Sequence, residues 1–174
     1  MNNWFDLSTV EDVNLIPANT IAKVRMEIKM GGHNDPEKNW GGGYATRNNN
    51  TGSCYLNCVF TILTPPYEDR KVFSLVPLHS EKGESYEMMG KKFLKDALSS
   101  HHGLKKSDKS EEAKAKQTIK GFHDLDGIIF VAMINQRENQ LTSDMQNEIR
   151  TAVTAEHPQY NAIMNESKGY SQWG

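Results

Sequence analysis

The run from Ala22 to Met30 constrains this chain more than any other stretch. Ala22, Val24, Met26, Ile28 and Met30 are apolar, and Lys23, Arg25, Glu27 and Lys29 between them are charged. Successive side chains of a strand point to opposite faces, so this run has one face in a core and one in water. A second alternating strand is expected from Ser53 to Leu63. Cys54, Leu56, Cys58, Phe60 and Ile62 face one way, and Tyr55, Asn57, Val59 and Thr61 the other. Thr64-Pro65-Pro66-Tyr67-Glu68-Asp69 has turn chemistry and leads into a third strand from Arg70 to about Val76, so the two strands form an antiparallel hairpin.

The period then changes. From Tyr86 to Ser100, Met89, Phe93, Ala97 and Leu98 make a helical apolar stripe, with Gly103 placed as a C-cap. Residues 105 to 120 are highly charged, and a short helix is expected over Glu111 to Thr118. Ile128 to Ile134 is a continuous apolar run, read as a central strand buried on both sides. Gln136 to Asp144 is a polar turn, and Glu148 to Val153 is the last strand.

Between the first two strands, residues 31 to 53 break all periodicity. The stretch carries GGG, NNN, Trp40, Tyr44 and Arg47. A loop of this length inside a domain is usually functional. Glycine and asparagine around aromatic and basic groups suit a surface that closes on a ligand; the plainer reading is a hairpin tip with incidental aromatics.

Five strands, with a helix between strands 3 and 4 and a long loop between strands 1 and 2, is the OB-fold arrangement, a mainly β, partly open barrel. The expected organisation is an N-terminal arm over 1–16, in which Trp4, Phe5 and Leu7 could tuck onto the domain. An OB-fold domain follows over 17–160 and a polar tail over 161–174. The length of 174 residues suits one such domain, and 37% hydrophobic content supports a core. The ligand surface of this fold is the outer face of strands 2 and 3 with its flanking loops. Here that set is Tyr55, Asn57, Val59 and Thr61, the Trp40/Tyr44/Arg47 loop and the loop carrying Arg137.

Charge adds a second clue. The net charge is −2, yet residues 70 to 120 hold twelve Lys/Arg against seven Asp/Glu, leaving eight basic and fifteen acidic residues elsewhere. The asymmetry is either a local basic surface or a solvated helical face. The six histidines form no metal-ligand pattern, and Ser and Cys nucleophile signatures are absent, so no catalysis, metal or cofactor is expected. Cys54 and Cys58 share one strand face and are read as small buried hydrophobes. No apolar run is long enough to span a membrane and the N-terminus is not a signal peptide, so a cytoplasmic location without membrane association is expected.

Several segments resemble phage-encoded or prophage OB-fold single-stranded-DNA-binding proteins. They are Leu15-Ile16-Pro17-Ala18-Asn19-Thr20, Tyr55-Leu56-Asn57 with Phe60-Thr61-Ile62-Leu63, and Tyr67-Glu68-Asp69-Arg70-Lys71-Val72-Phe73. Further likenesses are residues 110–115, 124–132 and 148–158. Asp69 stands where the family's turn usually has Gly, and the chain ends in Tyr170-Ser171-Gln172-Trp173-Gly174 rather than an acidic tail. The resemblance implies sequence-independent single-stranded DNA binding in phage-type replication, recombination or repair, in the bacterial host cytoplasm. Replication or recombination proteins and further copies of the chain are the partners it implies. Such binders pair a basic groove with aromatic platforms. The candidate platforms are Trp40, Tyr44, Tyr55 and Phe73, the last equally a core residue. The candidate phosphate contacts are Lys23, Arg25, Arg47, Lys71, Arg137 and Arg150. The rival expectation is a non-catalytic protein-interaction or phage accessory module on the same barrel; an RNA preference is a smaller variant.

Overall fold

The computed structural model describes residues 4–8, 10 and 14–166. Tyr170 and Trp173 of the expected tail lie outside the described residues. The fold is mainly β: a curled antiparallel sheet, closing part of the way to a barrel, with few helices. The first strand, β1 (Thr20–Lys29), is the alternating run, and it has two partners. Its first half pairs with β6 (Ile129–Glu138) and its second half with β4 (Cys54–Ile62). β4 pairs along its other edge with β5 (Lys71–His79), and β6 pairs with β7 (Met145–Val153). β5 and β7 approach one another without a hydrogen-bonded ladder between them, so the curl stays open along this seam.

Residues 31 to 53 are not one loop. They contain β2 (His33–Asp35) and β3 (Trp40–Arg47), joined by a 3₁₀ turn over Pro36–Lys38. The described residues thus hold seven strands where five were expected. The pairs Thr46↔Tyr55 and Arg47↔Cys54 place β3 in line with β1 along one edge of β4. Gly42 and Gly43 adopt φ of 77° and 73°, a region that Gly enters at little cost. Glycines in a strand present no side chain to alternate, which hid β3 from a periodicity argument.

The inner face carries the core. Val24, Met26, Leu56, Phe60, Ile62, Val72 and Phe130 are fully buried there. α1 (Ser85–His101) packs into this core, and Phe60, Phe93 and Phe130 meet edge to face at centroid distances of 6.1–6.2 Å. The buried side of α1 runs through Gly90, Leu94, Ala97 and Leu98, whereas Met89 of the expected stripe is exposed. Gly90 belongs to that side because the helix lies directly on the backbone of Pro77. A Cβ at position 90 would stand 1.6 Å from the Pro77 carbonyl oxygen. After α1, Gly103 at φ 71° lets the Leu104 N–H donate to the Ser99 carbonyl at 2.8 Å, a Schellman-type stop. α2 (Glu111–Lys116) follows, with the Ser110 hydroxyl accepting from the Ala113 N–H.

β6 is buried on both faces. Phe130, Ala132 and Ile134 join the main core, and Val131 joins a smaller cluster with Val153 and Tyr160. α3 (Tyr160–Met164) covers that second cluster, and so begins inside the expected domain and ends inside the expected tail. At the other end of the domain Ile16 is buried and pinned to β7. Its N–H donates to Asn147 Oδ1 at 2.9 Å, and its carbonyl accepts from Asn147 Nδ2 at 2.9 Å and Gln136 Nε2 at 3.0 Å. Trp4 and Phe5 do not tuck onto the domain; they are 83% and 88% exposed. No helix among the described residues is long and apolar enough to cross a membrane.

Candidate nucleic-acid interface

The strand registers determine what the outer face of the sheet presents. Reading across β1, β4 and β5, the rows are Arg25–Thr61–Lys71, Glu27–Val59–Phe73 and Lys29–Asn57–Leu75, followed by Tyr55–Pro77. Because β5 places Val72 and Val76 in the core, Phe73 and Leu75 must point outward. They are 56% and 53% exposed, unusual for large apolar side chains beside one another on a sheet. The Lys29 ammonium lies 4.8 Å from the centroid of the Phe73 ring, within cation–π range.

This face runs into a trough along the open seam. One end, about 620 Å³, is lined by Leu15, Arg70, Lys71, Phe73, Met145 and Gln146 among others. The other end, about 400 Å³, is lined by Asn57, Phe73, Leu75, Arg137, Leu141 and Gln146 among others. Phe73 and Gln146 line both, so the two cavities adjoin one another between β5 and the β6–β7 hairpin. Their open position follows from the missing β5–β7 ladder. The hairpin tip supplies Leu141, 95% exposed.

The electrostatics are mixed. Arg70, Lys71 and Arg137 line the trough together with Glu138, Asp144 and Glu148. Arg137 Nη1 stands 3.9 Å from Glu148 Oε2, and Arg70 Nη2 donates to the Asn14 carbonyl at 2.6 Å. The neighbouring sheet face adds Arg25 and Lys29 against Glu27. The site is therefore only slightly cationic.

The expected site residues separate into groups. Arg25, Tyr55, Asn57, Lys71, Phe73 and Arg137 lie on the outer face or the trough. Trp40 and Tyr44 are half-buried against the core and line a different cavity, of about 740 Å³, with Lys120, Gly121 and His123. There the Trp40 ring stands 6.1 Å from Phe122, with Lys38 Nζ 5.0 Å from its centroid. Arg47 is exposed at the end of β3 and donates to Asn49 Oδ1 at 3.1 Å. Arg150 is exposed where β7 carries one extra residue, between the pairs Thr151↔Met133 and Ile149↔Ile134. Lys23 is engaged at the end of α3, where its ammonium donates to the carbonyls of Met164 and Glu166. Lys29, Leu75, Leu141, Met145 and Gln146 were not singled out from the sequence. The signal for Lys29 was present in the alternation of β1. Leu75 is hidden because β5 is apolar on both faces.

Among the described residues no group of three or more His, Cys, Asp and Glu is arranged to hold a metal. Burial pushes the Cys58 thiol far above its ordinary value and raises that of Cys54 as well, so both favour the neutral thiol form.

Comparison with known proteins finds no family model that matches the chain and no curated protein that matches it.

Proposed function

We propose that the chain is a single-stranded DNA-binding protein of the OB type that holds an unpaired strand along the trough, with little sequence preference. In this reading β1, β4, β5, β6 and β7 are the five barrel strands, α1 is the helix between the third and fourth, and β2–β3 elaborates the first connection. The pairing of β1 with both β4 and β6, of β4 with β5 and of β6 with β7 supports it. So does Asp69, which holds φ of 70° at the turn where the resembled family has Gly.

The observation that carries the proposal is the exposed Phe73 beside Leu75, on the face and in the groove where an OB barrel takes its ligands, with Lys29, Lys71 and Arg137 around it. Phe73 offers a base its ring, and the cations meet phosphates. Asn57 and Gln146 supply hydrogen bonds that any base edge or sugar can use. No step of this binding needs a cofactor or a reaction, and the resemblance extends it to phage-type replication, recombination or repair.

A second reading is favoured by the aliphatic Leu141 and Met145 and by the three trough acids: a protein-interaction or accessory module with no nucleic-acid ligand. Fluorescence anisotropy of a labelled ~30-nucleotide oligo-dT at two salt concentrations decides between them, with duplex DNA and a matched RNA strand as controls. Tight, salt-sensitive binding of the single strand supports the DNA reading. No binding at low salt leaves the protein partner.

A further inference from the structure

The lysines of the middle of the chain gather on α1 and α2. Lys91 and Lys95, one turn apart on α1, and Lys114 on α2 flank a groove of about 450 Å³. Its floor is Leu94, Leu98 and Ile119. Gln117 Nε2 donates to Ser99 Oγ at 2.9 Å and ties the segment after α2 to α1, while the buried Ala113 packs α2 down. The groove is therefore built on ordered elements.

Its cations are loosely held. Lys91 pairs with Glu87 at 2.8 Å within α1 and Lys114 with Glu111 at 3.4 Å within α2, every partner more than a third exposed. Such surface pairs contribute little, so an incoming carboxylate can displace them at small cost. Leu98, Thr118 and Ile119 also line an adjoining cavity, where Lys116 and His102 stand with Glu112 and Asp124. Three lysines and no carboxylate line the first cavity, although Glu87 and Glu111 pair with two of those lysines from outside it, whereas the second cavity is lined by both signs.

We infer that this groove docks an acidic segment of a partner protein, separately from the trough. Carboxylates of the segment face Lys91, Lys95 and Lys114, and its aliphatic or aromatic anchors rest on Leu94, Leu98 and Ile119. The charge argument points to an anion, because the lysines stand on a chain that is otherwise acidic. The floor points to a peptide rather than a nucleic acid. Among the described residues no aromatic ring lines the groove for a base to stack on, whereas an aliphatic floor is what amphipathic segments anchor to. The mixed far end gives the bound segment a direction.

The test uses the full chain and a fluorescein-labelled dodecapeptide of Asp interspersed with Leu and Phe, with an Asn-for-Asp control peptide. The expected result is saturable, salt-sensitive binding of the Asp peptide, with amide shifts centred on Leu94, Leu98 and Ile119. A Lys95→Glu/Lys114→Glu variant should weaken that binding at least tenfold and leave oligo-dT binding unchanged. Equal binding of the Asn control, shifts centred on the trough, or no binding at millimolar peptide would overturn the inference. Loss of oligo-dT binding in the lysine variant would also overturn it, by making the groove a nucleic-acid path. Failure of the wild-type chain to bind oligo-dT would count against the trough reading alone.

Discussion

Lys29 Nζ sits 4.8 Å from the centroid of Phe73, although the two belong to strands separated by β4. The register places them on adjacent rows of one face, so the cation reaches diagonally across β4 to an exposed ring. In the proposed binding mode a base stacks on that ring beside the ammonium, and the phosphate takes over the ammonium as the ring is covered. Phe73→Ala removes the platform and is expected to weaken oligo-dT binding roughly 5- to 150-fold, the range of one stacked base at about 1–3 kcal/mol. Since the ring is more than half exposed, the thermal midpoint should scarcely move. Anisotropy and thermal melts on the same variant check both halves; an unchanged affinity in a folded variant would remove the main support for the trough.

Salt dependence follows from the cations at the site. In the proposed binding mode Arg25, Lys29, Lys71 and Arg137 meet phosphates, whereas Lys23 is committed to the end of α3 and Arg70 to the Asn14 carbonyl. Four contacts at about 0.7 each give a slope of log K against log salt of roughly −2.8. Titrations across a salt series read this slope directly, and Lys71→Ala should flatten it by about 0.7.

How much of this was legible in the sequence depends on which residues carried a signal. β1 and β4 could be read because polar and apolar side chains alternate cleanly, and their outward faces placed Arg25, Tyr55 and Asn57 correctly with respect to the sheet. β5 resisted, since Val72 and Val76 alternate with Phe73 and Leu75 and both sets are apolar. Only the burial of Val72 and Val76 in the folded sheet, against the exposure of Phe73 and Leu75, shows which set is outside. The β2–β3 hairpin was invisible because Gly41, Gly42 and Gly43 leave no pattern. Trp40 and Tyr44 were grouped with Tyr55 on the strength of a loop that is not one, and the hairpin carries them instead to the cavity beside Phe122. The trough itself was out of reach of any local reading, because it exists only where β5 and β7, far apart in the chain, fail to pair.

Asn147 is expected to hold the N-terminal segment in place. Its side chain exchanges two hydrogen bonds with Ile16, at 2.9 Å each, over a side chain that is almost fully buried. Asn147→Ala leaves the Ile16 N–H without that acceptor and should cost about 1–3 kcal/mol. Hydrogen exchange at the Ile16 amide should accelerate more than exchange in α1, and equal acceleration throughout would mean that the contact is not local.

The two thiols should be silent in the native protein. Both are buried on the inner face of β4, and burial drives the Cys58 thiol far above and the Cys54 thiol somewhat above the ordinary range. At pH 8 neither is expected to react with a thiol reagent on the minutes scale, and both should react in denaturant. A native titre of one thiol would place Cys54 in a more open environment than its packing implies.

The contact between α1 and β5 predicts a stability change opposite in sign to that of an exposed helical glycine. A Cβ on Gly90 would fall 1.6 Å from the Pro77 carbonyl oxygen and 2.7 Å from the carbonyl carbon. In an exposed helix interior, Gly→Ala stabilises by up to about 1 kcal/mol. Here the obstacle is backbone, which cannot rotate aside, so the helix must lift from the strand and disturb the packing of Phe93 against Phe60 and Phe130. Overpacking of this kind costs about 1–3 kcal/mol, and the loss of the helix propensity gain makes the sign diagnostic. Urea denaturation of Gly90→Ala should show a lower midpoint than the parent protein. Pro77 lies on β5 two residues beyond Leu75, so a lifted helix also loosens the strand that carries the trough's apolar wall. Oligo-dT affinity should therefore fall in this variant together with stability, whereas Phe73→Ala separates the two.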